Sequence, residues 1–238
     1  MPPVTNKEIG PQPTMESTNS HRNLAPTFVG LAVALFALPV FMATYRAITG
    51  ENHSNGQVLG REFAVFLLVG LLLWIVKRWE LLPLTSIGLR FNMLRTSLLR
   101  GVWLAVIVLA ATVGLYLLLR RVGVHLGEEH GSAFHPSLWV VTVSMLRAGI
   151  AEEIFYRGFA IERLQSLTGS KLLAGLLPLT IFAVSHYRQG IGGIVAVFVL
   201  GGILTACYMK FRDLLANITA HFLGDFVLNV VLPLVSGG

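Results

Sequence analysis

An all-α polytopic membrane protein, with about seven transmembrane helices in one bundle, is the fold class predicted for this 238-residue chain. Three observations predict it. Only 13% of the residues are charged, where a soluble domain carries about 25%. Hydrophobic residues make up 54%, and the mean hydropathy is +0.71. Apolar runs near or above ~18 residues, the length that suggests a bilayer crossing, recur along the chain. The formal net charge of +6 lies mostly between those runs. It reads as membrane topology and not as a nucleic-acid-binding surface.

The first 25 residues are polar and rich in Pro, Ser, Thr and Asn, and predict a flexible tail ahead of a membrane-embedded domain at 26–238. They lack the short apolar core of a signal peptide. The first span is predicted at Pro26–Tyr45, with Pro39 as a kink site. The second is Gly60–Trp79. Its uncharged part, Phe63–Val76, is 14 residues, so Arg61, Glu62 and Lys77 are expected to snorkel to the interfaces. The third is Gly101–Leu119, preceded by "SIGLRFNMLRTSLLRG" at 86–101. That stretch reads as an amphipathic surface helix or as a basic connector. The fourth, Ser137–Gln165, contains "RAGIAEEIFYRGF". The fifth is Lys171–Tyr187, the sixth Ile191–Met209 and the seventh Leu214–Val235. In the sixth, small residues four apart (Gly192/Ala196, Gly201/Thr205, Gly202/Ala206) predict close helix packing. The one cysteine, Cys207, lies in an apolar run and reads as an inert thiol.

Charge predicts orientation. On one side of the seven spans lie Lys7, Arg22, Lys77, Arg78, Arg90, Arg95, Arg100, Arg163, Lys171, Lys210 and Arg212, which is 11 basic residues. On the other lie Arg46, Arg61, Arg120, Arg121 and Arg188, which is 5. Cytoplasmic loops carry the excess, so the N-terminus is expected inside and the C-terminus outside.

Charged side chains at a bilayer centre cost roughly 2.5–3.5 kcal/mol each on the insertion scale, so those in the fourth span need a partner or a task. On a helix Glu153 and Arg157 share a face and can pair. Glu152 is turned by about 100° from Glu153, toward the face of Ala148 and Tyr156. The spacing predicts a structural Glu153–Arg157 pair and a Glu152 that faces a cavity. The bland reading is that both glutamates simply pair with Arg147 and Arg157. Span five ends in His186, and span seven carries His221 and Asp225 four apart. Glu152, His186 and Asp225 all fall roughly 17–23 Å from the cytoplasmic ends at 1.5 Å per residue, with His221 one turn shallower. Glutamate and histidine together suit activation of a water. The same set can also hold a divalent metal through His186, His221 and Asp225. The zinc-protease spacing HExxH and the serine-enzyme signature GxSxG are absent from the sequence. "HLGEEH" (125–130) reads as an exposed loop.

In order and spacing these residues resemble the CPBP family, the CAAX-type and bacteriocin-processing intramembrane proteases also called Abi. The family pattern is EExxxR, then FxxxH, then HxxxN or HxxxD. Here it reads Glu152–Glu153 to Arg157, Phe182 to His186, and His221 to Asp225. "SIGLR" before the third span is also similar. The resemblance implies an active-site core at about 137–236 that opens toward the cytoplasm of a prokaryotic cell. It implies hydrolysis of a peptide bond in a membrane-associated protein or peptide. Glu152 and His186 would be catalytic; Glu153, Arg157, His221 and Asp225 would complete the site. Both a glutamate mechanism and a metalloprotease mechanism, with zinc or another divalent ion, are compatible with it. Asp225 stands where prenyl-protein proteases carry Asn, which sets a prenylated substrate apart from the expectation. A non-catalytic immunity or scaffold protein and a proton-coupled transporter are the alternatives. The transporter predicts paired repeats or broken helices, and the sequence shows neither. Nothing in the pattern sets an oligomeric state.

Overall fold

The computed structural model describes residues 23–50, 54–124 and 136–236, and among them every element is helical. Nearly all of the expected polar tail and the whole of "HLGEEH" lie outside the described residues. Seven helical rods follow in order: α1 Ala25–Thr49, α2 Asn55–Trp79, α3 Phe91–Arg121, α4 138–168, α5 Lys171–Ser185, α6 Gly190–Phe211 and α7 Leu214–Val235. Five of these (α1, α2, α3, α6 with the turn before it, and α7) are long and apolar enough to cross a membrane. The other two differ for physical reasons. α4 carries six charged side chains between Arg147 and Arg163. α5 has 15 residues, or about 22 Å of helix, short of a ~30 Å hydrocarbon core.

Local chemistry sets the helix limits. α2 begins at Asn55, ahead of the expected Gly60, because Ser54 and Gln57 form a capping box. Gln57 N donates to Ser54 Oγ at 3.2 Å, and Ser54 N donates to Gln57 Oε1 at 2.8 Å. In α1 the irregularity expected at Pro39 is a π turn at Val33–Ala37, just ahead of it. α4 changes from α to π winding over Glu153–Ile161, all nine residues buried. It stops at Gly169, whose φ of +69° is open to glycine. Ser170 and Asp213 then cap α5 and α7, accepting from Leu173 N and Ala216 N at 3.2 Å each.

Segment 86–101 is not a surface helix. Short 3₁₀ turns at Leu84–Ile87 and Phe91–Met93 lead directly into α3. Ile87, Gly88 and Leu89 are buried against the α6–α7 turn, where Leu214 N donates to Gly88 O at 3.0 Å. Gly88 has φ +78°, and a Cβ there would meet the Tyr208 ring at 2.9 Å. The apparent amphipathic pattern therefore joins a docked loop at 86–90 to the first turns of α3.

The bundle is apolar on its outside as well as within. Phe28, Phe36, Phe63, Trp74 and Trp103 are each more than half exposed, as a lipid-facing surface requires. Inside, Phe155, Tyr156 and Phe159 of α4 pack against Ala34 and Leu35 of α1, Val65 and Leu72 of α2, and Ile87. At the end of the bundle that carries the α2–α3, α4–α5 and α6–α7 connections, ion pairs tie the helices together. Arg163 reaches Glu80 at 2.7 Å, Arg100 reaches Asp213 at 2.5 Å, and Glu162 accepts from Tyr208 at 2.9 Å and pairs with Arg212.

Candidate active site

The two neighbouring glutamates of α4 have different surroundings. Glu153 is fully buried. Its Oε1 accepts from Arg157 Nη1 at 2.9 Å and from His221 Nδ1 at 2.8 Å, and its Oε2 accepts from Asn217 Nδ2 at 3.0 Å. Three donors on one carboxylate leave little capacity for chemistry. Arg157 is equally enclosed. Its Nη2 donates to Gly201 O at 3.2 Å and its Nε to Thr205 Oγ1 at 3.4 Å, while its guanidinium lies 4.6 Å above the Phe182 ring. The Gly201/Thr205 pair of α6 thus forms the berth for this cation: a Cβ on Gly201 would stand 2.9 Å from Arg157 Nη2. The more exposed Gly202/Ala206 pair does not share that contact.

Glu152 faces a cavity of about 780 Å³ lined by residues of all seven helices. It is loosely held, by Arg147 Nη1 at 3.4 Å and by His221 Nε2 at 3.7 Å. Asp225 Oδ2 lies 3.5 Å from the same His221 nitrogen. Glu152, His221 and Asp225 therefore meet, and Glu153 stands behind them. His186 lines the same cavity from the end of α5. It is linked to the others through Phe182, whose ring centroid lies 4.8 Å from the His186 ring and 6.5 Å from the His221 ring. His186 Nδ1 lies 2.8 Å from Phe182 O. A carbonyl oxygen only accepts, so Nδ1 carries the proton and Nε2 is left free for chemistry.

Two contributors were not anticipated. Glu62 was expected to snorkel, yet it is 1% exposed and pairs with Arg147 and Arg61, and Ser144 Oγ donates to it at 3.0 Å. Arg147 thus bridges Glu62 of α2 to Glu152 of α4. Asn217 had no assigned role, although it precedes His221 by one turn on the same face of α7. That spacing was the available signal.

The residues expected to bind metal, His186, His221 and Asp225, all line the same cavity. No group of three or more described His, Cys, Asp or Glu side chains is placed to hold an ion. His221 Nδ1 is taken by Glu153 and His186 Nδ1 by a carbonyl. Elemental analysis of cleavage-competent protein is expected to find less than one equivalent of zinc or another transition metal. One stoichiometric equivalent, lost in Asp225→Ala, would overturn that expectation.

No curated protein and no solved structure matched the chain. A family model did, and its match spans the whole of α4 to α6 and most of α7, including all six candidate site residues. Residues 134–227 match the model of the family described as type II CAAX prenyl endopeptidase Rce1-like, a likeness consistent with the CPBP family that the motifs resemble.

Proposed function

We propose that this integral membrane protein is an endopeptidase in which Glu152 removes a proton from the attacking water. The family match supports an intramembrane protease of the CAAX type. The observation that carries the finer reading is the contrast between the two glutamates. Glu153 is saturated by three donors, whereas Glu152 has two long contacts among the described residues and borders the cavity.

A peptide segment entering the cavity would place its scissile carbonyl between Glu152 and His186. Water held on Glu152 attacks the carbonyl carbon, and its proton passes to the carboxylate. Glu152 returns that proton to the leaving amine, and His186 Nε2, after taking a proton from cavity water, donates to the developing oxyanion. His221, fixed through Nδ1 by Glu153, presents Nε2 between Glu152 and Asp225 and orients both carboxylates. Arg157 acts through Glu153 and is a positioning residue. A scaffold or immunity protein has no use for a loosely held carboxylate beside two histidines.

The reading is tested with protein reconstituted in vesicles and a library of membrane-associated peptides. Wild type is expected to generate new termini, and His186→Ala to slow the cleavage by about 10²–10⁴-fold, the range of one general acid–base group. Equal cleavage by both proteins would remove His186 from the mechanism.

A further inference from the structure

The cavity extends from the level of Glu152 toward one end of the bundle only. Beyond the site it is lined by Arg46 near the end of α1, Arg61 near the start of α2, Arg188 in the α5–α6 turn and Asn229 late in α7. These positions share the end that carries the α1–α2, α3–α4 and α5–α6 connections. No lining residue comes from the opposite connections at 80–90, 169–170 or 212–213. That opposite end is tied shut by the Glu80–Arg163, Arg100–Asp213 and Glu162–Arg212 pairs.

Basic residues are distributed the other way. Among the described residues the closed end carries 9 Lys and Arg and the open end 5. An excess of this size marks the cytoplasmic side, and acidic partners of those residues contribute little to the rule. A cytoplasmic N-terminus and a site that opens toward the cytoplasm are therefore incompatible in this fold. From the cavity and the charge bias together, we infer that the site opens to the extracytoplasmic face. Its substrate is then a polypeptide segment exposed on that face, such as an exported chain still held at the membrane. The C-terminus of a cytoplasmic protein would not reach it. The word substrate rests on the proposed protease function; the sidedness does not.

Cysteine accessibility in whole cells reads the sidedness without any cleavage. In a Cys207→Ser background, which removes the one native thiol, Asn229→Cys probes the mouth and Lys171→Cys the closed end. A membrane-impermeant maleimide is expected to label Asn229→Cys in intact cells, and Lys171→Cys only after permeabilisation. The reverse pattern overturns the inference. Should neither thiol react in intact cells, a fusion after Gly238 decides. An alkaline phosphatase active there supports the extracytoplasmic opening, and a fluorescent cytoplasmic reporter there overturns it. An accessible mouth in a protein that cleaves no peptide from either side would refute the protease function and leave the sidedness standing.

Discussion

Glu153→Gln is expected to lower the folded yield more than any other single-atom-scale change in the site. The substitution keeps volume but removes the charge opposite Arg157, which is 1% exposed and has Gly201 O, Thr205 Oγ1 and the Phe182 ring as further partners, none of them charged. It also exposes the site to a mismatch. A glutamine has one acceptor oxygen, while three donors converge here from Arg157, His221 and Asn217. Removing one partner of a buried ion pair costs about 3–5 kcal/mol, because the other charge stays buried. Detergent-solubilised protein should therefore elute mostly as aggregate in size-exclusion chromatography and melt well below wild type. Replacing both partners with apolar residues, Glu153→Leu with Arg157→Met, is expected to recover part of the stability without activity. A Glu153→Gln protein that melts with wild type would contradict the structural role of the pair.

Arg147→Met is expected to act mainly on catalysis. Glu62 keeps Arg61 and Ser144 as partners when Arg147 is lost, so the fold retains most of its support. Glu152, by contrast, loses the one guanidinium that contacts it. Displacement of a reacting group by about 1 Å can cost ~10²-fold in rate. The kcat should fall by about 10–100-fold, with KM changed by less than about twofold. Arg147→Lys keeps a cation for Glu62 and loses the forked reach to Glu152, so it should show the same kcat defect with near-native melting. A normal kcat in both variants would reduce the Glu62–Arg147 pair to a helix clip.

Five of the seven rods were legible because length and hydropathy alone define a membrane helix. The Glu153–Arg157 pair was legible because both partners lie one turn apart on the same helix, and His221 with Asp225 for the same reason. What escaped sequence reasoning depends on distant contacts. Arg147 and Glu62 are 85 positions apart, and only the packing of α2 on α4 shows that the charge is buried. Segment 86–101 divides in a way its pattern did not show: Ile87 to Leu89 form a buried docked connector, and the residues from Phe91 begin α3. His186 was legible as a cavity residue, but its tautomer follows from the Phe182 carbonyl, a geometric fact. The metal expectation drew on residue types alone, whereas ligation depends on where the ring nitrogens of His186 and His221 point, and their Nδ1 atoms already have partners.

The contrast between Glu152 and Glu153 is most directly tested by one measurement: cleavage in vesicles by wild type and Glu152→Gln, each normalised to folded protein. Glu152→Gln loses no well-formed hydrogen bond, since its contacts are 3.4 and 3.7 Å long. It is expected to fold and melt as wild type does and to lose at least ~10²-fold of the cleavage rate. Cleavage by Glu152→Gln at the wild-type rate would contradict the assignment of Glu152 as the base.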